Sequence, residues 1–253
     1  KMLVYYVFFV LFGLCVGSFA NVLIARMPKG LSIFYPASNC PNCHKKLRFY
    51  HNIPVFSYIF LGGKCAFCKS KISLRYPFVE LICGAFGALA FYLCGEIYSA
   101  IFLTLSLILL FALSIIDFEY LAVPESLLIF ALFFALASKF TSLEDMLTLS
   151  SPLSMALLFM GAIFLIKSCV SAWKNRKNTN EIVESMGEAD VLIFGVIGAL
   201  CGLKLGFLAV MFACAIQMVF HLLLLGKKVE VPFIPALSLA LLLALISQNF
   251  WNF

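Results

Sequence analysis

Asp117 and Asp190 each stand at the edge of an apolar run, in "ALSIIDFEYLAVPE" and "MGEADVLIFGVIGAL". An ionisable side chain in or beside a membrane span is expensive and by default marks a functional site. Two carboxylates held a few ångströms apart cannot both ionise readily, so one keeps its proton while the other acts as a base. Such a pair can activate water against a peptide carbonyl and protonate the departing amine. A carboxylate at a helix end can equally cap the next helix or meet interfacial water, and for either aspartate alone that reading competes. Glu119, Glu125 and Glu188 lie close by; Glu125, in "VPES", meets the dipole of a helix start. No Ser/His/Asp or Cys/His set stands out, because His221, the one histidine inside an apolar run, has no nucleophile beside it and reads as a packing residue.

The second constellation is "NCPNCHKKLRFYHNIPVFSYIFLGGKCAFCKSK", where Cys40 and Cys43 are followed by Cys65 and Cys68. Two C-x2-C pairs at this separation approach the spacing of zinc ribbons, each pair sitting on a tight turn so that two thiolates face one ion. Four thiolates suit a closed structural Zn²⁺ site, and a segment with so little apolar content gains most of its folding energy from the metal. Two disulfides or four free thiols are the alternatives, the former disfavoured on a cytoplasmic side. His44 and His51 lie between the pairs as substitute ligands. The other six cysteines sit in apolar runs and read as small buried hydrophobes.

These residues must be positioned by membrane helices. The chain of 253 residues is 64% hydrophobic and 12% charged, too few charges to clothe a soluble protein of this size. Eight apolar runs of span length appear at residues 2–25, 77–94, 97–116, 124–140, 150–172, 189–203, 205–225 and 233–252. The first ends in "NVLIARMPKG" and reads as a retained span, not as a cleaved signal peptide. The sixth is short and holds Gly195, Gly198 and Gly202, which allow close helix approach. Basic residues concentrate in 26–76, 173–188 and 226–228, which an eight-span topology places on one side; the positive-inside rule makes that side the cytoplasm. Both aspartates then fall at the cytoplasmic edge. The net charge of +6 is accounted for by topology and anionic lipid, and no nucleic-acid partner is expected. The expected architecture is an all-α polytopic membrane protein: a first helix (1–25), a small cytoplasmic zinc-ribbon-like domain (26–76) and a core of about seven helices (77–253). No internal repeat is apparent.

Taken together, the motifs resemble the bacterial type IV prepilin peptidases, membrane aspartyl proteases that process type IV pilins and type II secretion pseudopilins. The likeness runs through "GSFANVLIARMP", "YPASNCPNC", "NIPVFSYIFLGGKCAFC", "ISLRYPFVEL", "IIDFEYLAVPE", "MGEAD" and "VPFIPAL", in that order. The resemblance implies that Asp117 and Asp190 are the catalytic pair and Cys40, Cys43, Cys65 and Cys68 the cysteine tetrad. It implies a multi-pass protein of the bacterial inner membrane, acting on prepilins or pseudopilins with a short basic leader, cut on the cytoplasmic side after a glycine. It also brings a second activity into view, N-methylation of the new N-terminus with S-adenosylmethionine. The chain departs from the family pattern in three places: Ala189 stands for a glycine before the second aspartate, Leu192 for a lysine two positions after it, and Glu125 for a common Asp. The rival classes are a membrane-anchored zinc-binding scaffold whose aspartates merely cap helices, and a transporter. The latter expects midplane carboxylates in matched repeats, which this sequence lacks.

Overall fold

The computed structural model describes residues 2–40, 42–140, 148–176, 187–223 and 232–251. The described elements are helical: α1 (Met2–Arg26), the short α2 (Phe56–Phe60), α3 (Arg75–Cys94), α4 (Ile97–Tyr120), α5 (Glu125–Ser138), α6 (Pro152–Asn175), α7 (Glu188–Leu223) and α8 (Ile234–Trp251). Five of them, α1, α3, α4, α6 and α7, are long and apolar enough to cross a membrane, whereas α5 and α8 are apolar but shorter. The sixth and seventh expected spans are joined in α7, which breaks at Gly202 (φ 67°, ψ −168°). Glycine alone adopts that backbone without a Cβ penalty. Among the described residues the eight expected runs correspond to seven apolar helices, five of them of span length and one of those interrupted. The basic segment 226–228, residue Lys177 and the side chain of Glu188 lie outside the described residues.

The chain divides into two compact units, Lys1–Ala112 and Leu113–Phe253. In the first, α1 packs along α3 through glycines. A Cβ on Gly13 or Gly87 would fall on the backbone carbonyl of Cys83 or Phe9, and one on Gly17 would strike the Cys83 side chain. Helices in lipid gain nothing by hiding apolar surface from lipid tails, so close backbone approach and dispersion hold such a pair together. At one end of the pair Phe9 stacks on Phe91 with 5.0 Å between ring centres, and Tyr6 meets Phe91 edge-on at 5.1 Å. At the other, the buried Asn21 donates from Nδ2 to the Tyr76 carbonyl at 3.2 Å, using an acceptor at the start of α3.

In the second unit α6 packs antiparallel to α7. A Cβ on Gly198 would meet the Met155 carbonyl, one on Gly195 the Met160 side chain, and one on Gly206 the Phe159 ring. The Phe159 ring thus touches α7 on both sides of the Gly202 break. Ala156, Phe159 and Ile163 form the buried stripe of α6, while Leu157, Leu158, Phe164, Leu165 and Ile166 are exposed. An apolar outer face of that kind belongs in lipid.

Candidate active site and metal centre

Asp117 lies in the last turn of α4. Leu121, in the left-handed region at φ 50°, and Pro124, on which α5 starts, end the helix immediately after it. The N–H of Leu121 returns to the Asp117 carbonyl at 3.0 Å. The Asp117 side chain is buried, and its Oδ2 accepts the backbone N–H of Ile234 at 3.1 Å, with Phe233 contributing a second backbone hydrogen bond. Ile234 opens α8, whose first-turn N–H groups have no partner within the helix. Asp117 therefore closes the N-terminus of a helix more than a hundred residues further along the chain, where the helix dipole also favours a negative charge. One turn back on α4, Ser114 Oγ lies 2.6 Å from Ser238 Oγ, fixing the same two helices.

Asp190, in the first turn of α7, is half-buried and accepts a hydrogen bond from the backbone of Gly187. Asp117 lies close enough for its charge to act on Asp190. The two aspartates singled out in the sequence thus come together in one compact unit, each at the end of a helix. Glu119 and Glu125 are exposed, Glu125 in the first turn of α5 as its capping reading expects.

Two ionisable residues inside apolar helices escaped the sequence reading, although the cost of burying charge could have flagged both. Lys167, on α6, is half-buried and close enough to Asp190 to act on it electrostatically. Glu80, on α3, is buried; its Oε2 accepts the Val55 N–H at 2.8 Å, and Ser18 of α1 adds a side-chain hydrogen bond. Val55 has φ 61°, a strained backbone for a β-branched residue, so Glu80 pins a costly turn of the cysteine segment against the α1–α3 pair.

Cys40, Cys43, Cys65 and Cys68 converge, their Sγ atoms all within 4.8 Å of one another, and could hold a metal ion. The cysteines form no disulfide. The Cys40 and Cys68 sulfurs are 3.8 Å apart. With metal–sulfur bonds of about 2.3 Å, a tetrahedral zinc site has S···S edges of about 3.8 Å, so the spacing fits one ion. The two pairs are built alike. Cys40 N–H donates to the Lys45 carbonyl and His44 N–H to the Cys40 carbonyl; Cys65 and Lys69 repeat both bonds with Ser70 and Cys65. His44 and Lys69 both take positive φ, and bridges Asn39–Lys46 and Lys64–Lys71 close each turn. This is a local repeat the sequence reading missed, because across the two turns only the cysteines and the pair Lys46 and Lys71 match in type. The expected ribbon reduces to these two knuckles, since the described residues of the segment show isolated bridges and no strands. Neither His44 nor His51 belongs to the cluster.

Cys40, Cys43 and Cys68 titrate unlike free cysteine. N–H groups of Cys43 and Asn42 draw the Cys40 thiol down to about 6. Cys43 moves to about 11: the Lys45 N–H draws it down, but burial and the sulfurs of Cys68, Cys40 and Cys65 outweigh it. The Ser70 hydroxyl, followed by its N–H, lowers Cys68. Four crowded sulfurs of which some ionise easily and one resists are a set that a bound cation completes.

Comparison with known proteins finds two family matches along the chain. Residues 11–94 match the Bacterial Peptidase A24 N-terminal domain, and residues 103–222 match the Type IV leader peptidase family. The chain is 30% identical to the prepilin leader peptidase/N-methyltransferase of Stutzerimonas stutzeri, over 92% of this chain and 88% of that protein. It is 31% identical to the protein of that name from Bacillus subtilis, over 92% and 91%. The Pseudomonas aeruginosa protein is 29% identical over 94% and 88%. No solved structure matches.

Proposed function

This chain belongs to the type IV leader peptidase family, and we propose that it removes the leader of type IV prepilins or pseudopilins with Asp117 and Asp190 as its paired carboxylates. The observation that carries this reading is that those two side chains, at the ends of α4 and α7, lie close enough to act on each other electrostatically. In the proposed reaction one aspartate takes a proton from water as the oxygen attacks the scissile carbonyl. The other, protonated, hands its proton to the departing amine. Asp117, fixed by the N-terminus of α8, supplies the rigid member, and Asp190 the member at the start of the helix along which an apolar substrate helix would lie. The positive-inside distribution of the sequence supports a cytoplasmic site in a bacterial inner membrane, which leaves a basic leader on the side of the exposed Glu119 and Glu125.

The four cysteines would hold a structural Zn²⁺, whose role is to fold the segment between α1 and α3. The relatives' names also carry an N-methyltransferase activity, and S-adenosylmethionine is the methyl donor we propose for it here. We propose as its site the cavity of about 410 Å³ in the first unit, where Ser18, Arg26, Ser38 and Asn52 stand among mostly apolar residues: the volume lies in the small-ligand range and a guanidinium suits a carboxylate. Equilibrium binding of labelled S-adenosylmethionine to the wild type and to Arg26→Ala tests that assignment.

The main experiment is cleavage of a prepilin in liposomes by the wild type, Asp117→Asn and Asp190→Asn, read by product mass. Loss of the leader with the wild type alone supports the carboxylate pair, and an added methyl on the product reports the second activity. Equal cleavage by all three proteins would favour the scaffold-like role of the aspartates as helix caps.

A further inference from the structure

A lysine inside an apolar helix calls for a partner or a route to the head groups. Lys167 lies in "GAIFLIKSCVSAW", about two turns before α6 ends at Asn175. The register of α6 against α7 says where its side chain goes. Met155 faces Gly198 and Met160 faces Gly195, so the helices run antiparallel, and two turns beyond Met160 the level of Lys167 is that of Glu188 to Asp190. The burial pattern gives the same face: Ala156, Phe159 and Ile163 are buried against α7, and Lys167 is the next member of that stripe, half-buried between the exposed Leu165, Ile166 and Cys169. The ammonium accordingly acts on the Asp190 carboxylate. Asp117, by contrast, is held by backbone N–H groups of α8. The two carboxylates thus have separate supports, Asp117 from the backbone of α8 and Asp190 from the charge on α6.

We propose that Lys167 is a positioning residue, whose ammonium holds the Asp190 carboxylate in register with Asp117. This rests on the reading of Asp117 and Asp190 as the paired carboxylates. A snorkelling lysine that simply reaches lipid head groups is the competing explanation.

The test has two arms. In prepilin cleavage, Lys167→Met, which keeps the aliphatic stem, lowers kcat by about 30-fold with KM within about threefold, whereas Lys167→Arg stays within about fivefold of the wild type. In thermal unfolding of the purified protein, Lys167→Met lowers Tm more in the wild-type background than in the Asp190→Asn background, the coupling expected of a charge pair. Absence of coupling, or coupling with unchanged kcat, overturns the proposal. Equal loss of kcat in the Met and Arg variants overturns it too. The unfolding arm needs no catalysis, so failure of the aspartate-pair reading would show separately, as full cleavage by Asp117→Asn and Asp190→Asn.

Discussion

Asp117 does two things that a pair of substitutions can separate. Its Oδ2 accepts the Ile234 N–H at the start of α8, and its charge faces Asp190. Asp117→Asn keeps one side-chain oxygen of the same reach, so the Ile234 N–H keeps an acceptor; what is lost is the charge–dipole part, about 0.3–1 kcal/mol, and the charge-assisted strength of the Phe233 bond. Asp117→Ala leaves that N–H buried without a partner, which costs about 1–3 kcal/mol in addition. Thermal unfolding in one detergent should therefore rank wild type, then Asn close behind, then Ala clearly lower. Cleavage should not follow that order. Neither variant can carry the proton, so both should lose at least about 10²–10⁴ in rate, the usual contribution of a general acid or base. A purely capping role gives the reverse pattern, with Asn active and Ala impaired in proportion to its instability. Cleavage by Asp117→Asn within about tenfold of the wild type would refute the catalytic assignment. Equal stability of Asn and Ala would refute the capping geometry.

Elemental analysis should find one zinc per chain, lost in Cys40→Ser or Cys65→Ser, with the segment between α1 and α3 becoming sensitive to proteases. If the tetrad were two disulfides, a chelator would have no effect and a reductant alone would open the segment. Gly87→Val puts a side chain onto the Phe9 carbonyl of α1 and should destabilise the α1–α3 pair by about 1–3 kcal/mol. Gly161→Val, on a face of α6 where nothing lies within 4 Å, should change the stability by no more than about 0.5 kcal/mol. Equal effects of the two glycine substitutions would mean that close packing of α1 on α3 is not what holds that unit.

What the sequence made legible followed from local rules. Apolar runs long enough for a bilayer became helices, and C-x2-C spacing brought four thiols together because each pair needs only one tight turn. The interruption at Gly202 was foreshadowed by the glycine content of the sixth run, but a break and a loop between two spans look the same in a hydropathy pattern. What stayed hidden were partners brought together from distant parts of the chain. No spacing rule connects Asp117 to the backbone of Ile234, because the donor is any residue that happens to open the right helix. Glu80 and Lys167 were hidden for a different reason: each is a single charge inside a run whose average remains strongly apolar, so the run still reads as a span. The position-specific cost of a charge in lipid is the signal that finds them.

That cost also bears on how the site works. A carboxylate pair at a membrane edge has to remain folded when both members are charged and when one is neutral, and like charges at close range oppose the first state. In this chain the opposition is met twice, by the partial positive charge of the α8 N-terminus at Asp117 and by the full charge of Lys167 on α6 toward Asp190. Supports drawn from two different helices let the carboxylates be placed independently. Substitution at Lys167 should then disturb Asp190 while leaving the Ile234 N–H to Asp117 bond in place. Amide hydrogen exchange reads this directly. The Ile234 amide should remain protected in Lys167→Met and lose protection in Asp117→Ala, and loss of protection in both would mean that the two supports form one cooperative unit.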